Sequence, residues 1–193
     1  MEQQLFDFIG KYLILTEDEQ KAIADLSLFY EFKKGTILLR EGESSRYSYF
    51  VMKGCLRFYH VIDAEERTTE FYTEGEAVSP ACVVTGKPSE NYLACVEDSI
   101  LLISDPDMEQ VIFEKFPRFE TMCRILSEEL VAKSQKAFAD FKNASPEQRY
   151  LNLLETRADL VRRVPLNQLA SYLGMKPESL SRIRRRVAQQ AKV

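Results

Sequence analysis

Hydrophobic positions near the N-terminus recur with the period of an α-helix. Ile23, Leu26 and Phe29 are spaced three residues apart, and they follow Thr16 and Glu19, whose own three-residue spacing is typical of a capping box. The pattern predicts a short amphipathic helix that begins at Thr16 and ends near Phe29.

Between residues 30 and 104 the pattern changes to short runs of β-branched and aromatic residues separated by glycines. Such runs are typical of strands, and the glycines mark the turns between them. Many short strands with glycine turns predict an antiparallel sandwich or barrel. The strand-like runs are TILLRE, SYFVMK, CLRFYHVI, RTTEFYT and SILLIS.

Helical sequence begins at Asp105 and Pro106 and is interrupted once, at Pro117. Beyond Pro117 an apolar stripe continues for about seven turns of helix, with Ser134 as a polar break. A helix this long carries more apolar surface than one modest sandwich covers, so we expect it to form the seam of a homodimer. Packing against its own chain is the alternative. The stripe consists of Phe119, Met122, Cys123, Leu126, Leu130, Ala137, Phe138 and Phe141.

A further helix is predicted to start at Ser145, which can cap it, with Pro146 in its first turn. A domain boundary therefore falls near residue 144. We expect a strand-rich domain with an N-terminal helix in residues 1–116, a long dimerisation helix and hinge in 117–143, and a separate helical domain in 144–193.

Two short helical patterns near the C-terminus are separated by the sequence LGMK, residues 173–176. Gly174 permits the positive φ at which the first helix can end, and Pro177 suits the first turn of the second helix. The small side chain of Ala170 lets the two helices approach closely. This is the layout of a helix-turn-helix.

The second of these helices has two distinct faces. At 100° per residue, Leu180, Ile183 and Val187 point towards the domain core. The opposite side gathers groups that can read base edges in the major groove of DNA. These are Glu178, Ser181, Arg182, Arg185 and Gln189. The alternative is an exposed, arginine-rich helix that binds no ligand.

Charge is divided unevenly along the chain. Residues 145–193 carry a net charge of +6, whereas the remainder carries −10. This asymmetry is expected when one small domain meets a polyanion and the rest does not, although a solvated basic surface without a partner would also produce it. Arg184 and Arg186 flank the reading face and suit DNA phosphates, as do Ser171 and Tyr172 on the first helix.

One histidine and four scattered cysteines limit the chemistry. Most zinc hydrolases, cupin-type metal sites and Ser-His or Cys-His pairs need several imidazoles or a well-placed one, whereas His60 lies in a strand-like run. The cysteines form no C-x-x-C pair, so we expect reduced core thiols, no metal site, no cofactor and no enzyme activity.

Membrane and export signals are missing from the sequence. The longest apolar runs are a few residues, against the roughly 20 that a spanning helix needs. Glu2 and Asp7 precede the first basic residue, which does not fit a signal peptide. We therefore expect a cytoplasmic protein with no membrane partner.

The chain resembles the Crp/Fnr family of bacterial transcription regulators over essentially its full length. The similar sensor-domain motifs are Lys34-Gly35-Thr36-Ile37-Leu38 to Gly42-Glu43, and Phe50-Val51-Met52-Lys53-Gly54. The second C-terminal helix carries Glu178-Ser179-Leu180-Ser181-Arg182, which resembles the E-x-x-S-R recognition motif of the Fnr type.

This resemblance implies an α+β protein: a cyclic-nucleotide-binding-like, double-stranded β-roll of the jelly-roll kind, a long dimerisation helix and a winged helix-turn-helix. Wing strands would have to come from Arg157 to Pro165 or be very short. The implied partners are palindromic double-stranded DNA with a TTGA-like half-site, and RNA polymerase.

The resemblance also locates an effector pocket. Matching Gly75-Glu76 to the Gly-Asp before the family's phosphate cassette puts Ser79-Pro80 at the Gly-Glu positions and Glu90-Asn91 at the Arg-Ser positions. Glu90, expected to be at least half-buried, would repel a cyclic phosphate, and Pro80 lacks an amide donor. The resemblance therefore implies an effector that is not cyclic AMP, or no effector.

Other family effectors fit no better. Ser134 and Gln135 match positions that touch the nucleobase in cyclic-AMP-binding relatives. The alternative interpretation is that these two residues are polar breaks in the dimer seam. An Fnr-type oxygen sensor needs a cysteine cluster near the N-terminus, but the first cysteine is Cys55, and His60 alone does not supply haem ligation. A small-molecule effector, if one exists, stays unidentified.

We therefore interpret the chain as a sequence-specific DNA-binding transcription regulator that acts as a homodimer, with a β-roll sensor domain in residues 1–116 and a helix-turn-helix DNA-binding domain in 144–193. Two other hypotheses remain. One is a ligand-binding regulatory module whose helix-turn-helix contacts protein, and the other is a jelly-roll enzyme.

Overall fold

The structure is a computed structural model that describes residues 2–26 and 29–190. Contacts divide the chain into two compact units. The first contains the residues up to Arg57 together with Phe71–Ala132, and the second contains Phe58–Glu70 together with the residues from Lys133 onward.

Two helices open the first unit. Helix α1 (Glu2–Ile9), which the sequence analysis did not predict, buries Leu5 and Ile9. Helix α2 (Glu17–Leu26) follows the predicted capping box: the Thr16 amide donates to Glu19 Oε2 at 2.8 Å, and the Glu19 amide donates to Thr16 Oγ1 at 3.4 Å. The box is confirmed, but Phe29 lies in a strand and not in this helix.

The described residues form eight strands in two four-stranded sheets. One sheet has the order β1-β8-β3-β6 and the other β2-β7-β4-β5. The predicted antiparallel pairing is confirmed, and two separate sheets agree with the sandwich and not with the barrel. In the first sheet β8 pairs with both β1 and β3, with an irregularity between Val51 and Lys53. The strands are β1 (Phe29–Phe32), β2 (Ile37–Leu39), β3 (Ser48–Lys53), β4 (Leu56–Ile62), β5 (Glu65–Tyr72), β6 (Ala77–Val78), β7 (Tyr92–Cys95) and β8 (Ser99–Ser104).

Two apolar clusters hold the first unit together. In the first, the strands bury apolar side chains that are at most 2 % exposed, among them Leu39, Val51, Leu56, Phe71, Val78, Leu93 and Leu101. A second cluster joins α1, α2 and β3 to the start of a long helix, and consists of Leu5, Ile9, Ile23, Phe50, Met52, Phe119 and Met122. The N-terminal helices are therefore part of the first unit.

Gly54 shows why the β-roll needs a glycine at one turn. Its φ is +106°, and a Cβ there would lie 2.7 Å from the Cα of Ser99. The absence of a side chain lets the β3–β4 turn approach β8 closely.

The helices after the first strands follow the predicted breaks. A short helix, α3 (Ala81–Thr85), precedes β7, and α4 (Pro106–Lys115) is capped by Asp105, whose Oδ1 accepts from the amides of Asp107 and Met108 at 3.0 Å. Helix α5 (Arg118–Asn143) starts directly after Pro117. The predicted interruption of the helix at Pro117 is confirmed.

Four helices follow in the second unit: α6 (Pro146–Thr156), α7 (Ala158–Arg163), α8 (Leu166–Tyr172) and α9 (Pro177–Gln190). Ser145 Oγ accepts from the Gln148 amide at 3.2 Å, as the predicted cap requires. The interpretation of Arg157–Pro165 as wing strands is wrong, because this segment forms α7. The Val164 amide donates to the Leu160 carbonyl at 2.9 Å, which is the four-residue hydrogen bond of an α-helix.

None of the helices in the described residues combines the length and hydropathy needed to cross a bilayer.

Candidate nucleic-acid interface and effector pocket

A tight turn joins α8 to α9. Gly174 has a φ of +67°, its amide donates to the Ser171 carbonyl at 2.9 Å, and the Met175 amide donates to the Ala170 carbonyl at 3.0 Å. These two bonds form a Schellman motif, which satisfies carbonyls at the end of α8. Ala170 has no exposed surface, so α9 packs closely on α8 at the predicted position.

Helix α9 presents the two faces that its sequence predicts. Leu180 is fully buried and Ile183 is 7 % exposed, while Val187 is half-buried. Arg184 is also half-buried, at the edge between the two faces. The opposite face is exposed and contains Glu178, Ser181, Arg182, Arg185 and Gln189. A carboxylate, a hydroxyl, guanidinium groups and an amide thus share one accessible surface of a single helix.

Arg182 is positioned by a weak contact only. Its Nη2 donates to Ser179 Oγ at 3.4 Å, one turn earlier on the same helix. A bond this long is easily exchanged for a better acceptor. The arrangement leaves the planar guanidinium able to meet two acceptors side by side.

Arg186 is engaged within the second unit. Its Nε donates to Glu147 Oε1 at 3.0 Å and its Nη2 donates to Glu147 Oε2 at 2.6 Å, which ties α9 to the first turn of α6. Sequence reasoning missed Glu147, because the two residues are 39 positions apart. An exposed ion pair is worth roughly 1 kcal/mol or less, so a DNA phosphate could compete for Arg186.

The hydroxyls of Ser171 and Tyr172 face protein. Ser171 Oγ accepts from the Thr68 amide at 2.9 Å and lies 3.3 Å from the Glu66 carbonyl, to which it donates. The Tyr172 hydroxyl donates to Glu70 at 3.4 Å. Both contacts come from the β4–β5 hairpin, so these hydroxyls have protein partners in the single chain, and their contact with phosphates stays a prediction.

The predicted cassette positions lie in the first unit, next to α3. Pro80 is buried directly before α3, and Ser79 is exposed, with its Oγ 3.1 Å from Ser48 Oγ. Asn91 is half-buried, and its carbonyl accepts from Ser89 Oγ at 2.8 Å. Glu90 is exposed, contrary to the expectation of a buried or half-buried carboxylate. Solvent therefore screens its charge, and the argument against cyclic nucleotides rests on the absence of an arginine at this position.

Ser134 and Gln135 lie on α5, in the part of that helix that groups with the second unit. Both side chains are exposed. A groove of about 220 Å³ in the first unit lies elsewhere: it is lined by α1 and β3 together with Glu74 and Gly75, and it contains none of the predicted effector residues.

The cysteines behave as core residues. Cys55, Cys82 and Cys95 are buried, and Cys123 is half-buried, all as free thiols. Burial raises the pKa of the Cys95 thiol to about 11, so it is protonated at neutral pH. The expected core position is confirmed for Cys55, Cys82 and Cys95. His60 lies in β4, as expected, and no cluster of metal-ligating side chains occurs among the described residues.

Residues 29–115 match the cyclic nucleotide-binding domain. The match covers all eight strands and α4, which is less than half of the chain. Patatin-like phospholipase domain-containing protein 6 from Pongo abelii is 35 % identical over 88 residues, which are 44 % of this chain and 6 % of that protein. The chain thus spans a small part of that relative, and the likeness concerns one domain.

Solved structures resemble a larger share of the chain. The c-di-GMP responsive global regulator CLP of Xanthomonas campestris has a TM-score of 0.68 at 17 % identity and covers 91 % of this chain and 93 % of its own. FixK2 of Bradyrhizobium japonicum has a TM-score of 0.67 at 15 % identity, with 86 % of each chain covered. The catabolite activator protein of Thermus thermophilus has a TM-score of 0.53 at 18 % identity, and the match covers 92 % of this chain and 85 % of that chain. At these identities the likeness shows the fold.

Proposed function

We propose that this protein is a sequence-specific DNA-binding transcription regulator of the Crp/Fnr type, which binds palindromic sites as a homodimer. The observation that carries the proposal is the exposed face of α9, where Glu178, Ser181, Arg182, Arg185 and Gln189 lie together above a buried Leu180. This helix follows a glycine turn, and the pair acts as a helix-turn-helix whose second helix enters the major groove.

The reading face offers groups suited to different base edges. Arg182 is proposed to donate two bonds to O6 and N7 of a guanine, and Glu178 to accept from the amino group of cytosine or adenine. Ser181 would lie near a thymine methyl. Arg184, Arg185 and Arg186 add positive charge for phosphates and bases, and Gln189 extends the face by a further turn.

Dimerisation through α5 is the second part of the proposal. Apolar side chains on α5 are exposed in the single chain, in the part of the helix that follows Phe119 and Met122 of the second apolar cluster: Leu130 is 40 % exposed and Phe138 is 66 % exposed. A second copy of the same helix would cover them with an equivalent surface. Two-fold symmetry would then place two α9 helices on two half-sites of a palindrome.

The effector and the protein partner complete the proposal. With Glu90 and Pro80 at the cassette positions, we propose that the effector is not cyclic AMP, or that no effector exists. Ser79, Asn91, Ser134 and Gln135 are the further candidate contacts for an unidentified small molecule. RNA polymerase is the proposed protein partner, and the cytoplasm is the proposed location.

The decisive experiment is the selection of bound duplexes from a random DNA pool by the purified full-length protein. We expect an enriched palindrome with a TTGA-like half-site, bound with an affinity that falls steeply with salt concentration. Recovery of no enriched sequence, together with salt-insensitive retention of DNA, would contradict the proposal and favour a module whose helix pair contacts protein.

A further inference from the structure

Arg149 lies in the first turn of α6 and binds the ends of two other helices. Its Nε donates to the carbonyl of Phe141 at 3.1 Å, and its Nη1 donates to the carbonyl of Leu173 at 3.2 Å. Phe141 is in the last turn of α5, and Leu173 immediately follows α8. One side chain therefore joins three helices, all within the second unit.

The same guanidinium packs flat on an aromatic ring. Its Cζ is 3.8 Å from the centroid of the Phe141 ring, which is the geometry of a stacked cation–π contact. The ring edge and the guanidinium both reach the α8–α9 turn, since a Cβ on Gly174 would lie 2.9 Å from Phe141 Cζ and 3.0 Å from Arg149 Nη1. The turn thus sits directly against the end of α5.

The two carbonyls that Arg149 binds are ones that helix geometry leaves without partners in the backbone. The last carbonyls of a helix have no intrahelical donor, and they carry the negative end of the helix dipole. The Schellman bonds at Gly174 use the carbonyls of Ala170 and Ser171, and Arg149 supplies the donor for Leu173. Arginine suits this role because its planar fork donates in two directions while its face stacks; a lysine ammonium cannot do both.

The covalent connection between α5 and α6 is short. Only Ala144 and Ser145 separate the two helices. If α5 forms the dimer seam, the direction in which α6 to α9 leave its end sets the separation of the two α9 helices. The hydrogen bonds of Arg149, together with the Phe141 ring on which it stacks, hold the α8–α9 turn to that end.

We propose that Arg149 is a positioning residue for DNA binding: it does not touch DNA, but it holds the α8–α9 turn to the last turn of α5 and so fixes the spacing of the two reading helices in the dimer. This inference rests on the proposed function. It predicts that loss of the guanidinium weakens simultaneous binding to two half-sites more than binding to one.

The test compares the wild-type protein with Arg149→Lys, which keeps the charge, and with Arg162→Lys, a matched change at an exposed arginine of α7. Affinity is measured for the selected palindrome, for a single half-site, and for palindromes with altered spacing. We expect Arg149→Lys to bind the half-site with an affinity within about twofold of wild type. The ratio of its affinity for the palindrome to its affinity for the half-site should fall about tenfold, because the second contact becomes less favourably placed. Arg162→Lys should match wild type.

Hydrogen exchange without DNA provides a second readout. Arg149→Lys should exchange faster in residues 136–144 and 171–176, with unchanged rates in the rest of the second unit. Three results would each overturn the inference: an equal loss of affinity for the palindrome and the half-site, no loss of affinity for either, or uniformly faster exchange across the second unit. If the wild-type protein binds no palindrome, the proposed function is refuted instead. The wild-type measurement alone therefore distinguishes failure of the proposed function from failure of this inference.

Discussion

The carboxylate of Glu19 in α2 is held by the guanidinium of Arg118, the first residue of α5. Arg118 Nε donates to Glu19 Oε1 at 2.6 Å, and its Nη2 donates to Oε2. Glu19 is 3 % exposed, and it also accepts the Thr16 amide of the capping box. Mainly through the Arg118 bonds, and against the effect of burial, the pKa of Glu19 is lowered from its ordinary 4.5 to about 2.

This ion pair predicts a defined pH dependence of stability. Because the pKa of Glu19 is lower in the folded than in the unfolded chain, its contribution is present above about pH 4.5 and is lost as the pH falls towards 2. The side chain of Arg118 is 43 % exposed, so we expect Glu19→Gln to lower the free energy of unfolding at pH 7 by about 2 kcal/mol after allowance for solvent screening.

Urea unfolding at pH 7 and at pH 3 measures this effect. The difference in the free energy of unfolding between Glu19→Gln and wild type should be smaller at pH 3 than at pH 7. Asp98→Asn is the control, since Asp98 pairs with Lys33 at 2.8 Å on an exposed surface. The prediction would be contradicted if Glu19→Gln lost no more stability at pH 7 than Asp98→Asn does.

Gly54 should be intolerant of a side chain. We expect Gly54→Ala to destabilise the protein by about 2 to 4 kcal/mol, because the new Cβ would overlap Ser99 backbone in addition to the strain of a positive φ. Gly42→Ala is the matched control: its φ is +83°, but nothing lies within 4 Å of its would-be Cβ. Thermal unfolding compares the two, and equal shifts in Tm would show that the close approach to Ser99 does not matter.

The apolar face of α5 should mediate dimerisation. Replacing Leu130 and Phe138 by glutamate places two charges in the proposed seam, and we expect a monomer with weakened binding to the palindrome. Ala139→Glu is the control. At 100° per residue, Ala139 lies on roughly the opposite side of the helix, so this change should leave the dimer intact. Light scattering reports the mass, and a dimer that survives both glutamates would exclude this seam.

Arg182 should determine base preference. We expect Arg182→Ala to cost about 1 to 3 kcal/mol on the preferred site and to relax preference at a single base pair. Arg186→Ala should instead weaken binding to all sequences and reduce its salt dependence, as for a phosphate contact. Affinities over a panel of single-base variants separate the two; a uniform loss for Arg182→Ala would make it a phosphate contact.

Cyclic nucleotides should not bind at physiological concentrations. The position that matches the family's phosphate-binding arginine carries Glu90, and charge-assisted bonds from such an arginine are worth about 1.5 to 3 kcal/mol each. Calorimetry with millimolar cyclic AMP or cyclic GMP should show no heat of binding. Micromolar binding that also tightens the DNA complex would show that the cassette was matched to the wrong residues.

Local signals in the sequence were sufficient for several elements. Pro117 ends one helical segment because it cannot continue the hydrogen-bond ladder, and the caps at Thr16, Asp105 and Ser145 involve residues only two or three positions apart. The two faces of α9 follow from helical periodicity alone, so the candidate reading residues could be named without a structure.

Other elements depend on contacts that a linear pattern does not contain. Strands β1, β6 and β7 have two to four residues, too few for a periodicity of their own, and they form because β8, β3 and β2 are there to pair with them. The family resemblance implies a wing, and Arg157–Pro165 is one of the two options for its strands. This segment contains α7 instead, with Leu160 buried among the residues it packs against.

The sequence by itself therefore determined the sandwich class, the long helix and the two-faced helix pair, because periodicity and capping act between residues a few positions apart. Only the tertiary structure decided that Glu19 pairs with Arg118, 99 residues away, and that Arg149 binds the Leu173 carbonyl, 24 residues away. It also showed that Glu90 is exposed. Burial and side-chain pairing arise when distant segments pack, and that packing depends on the whole chain at once.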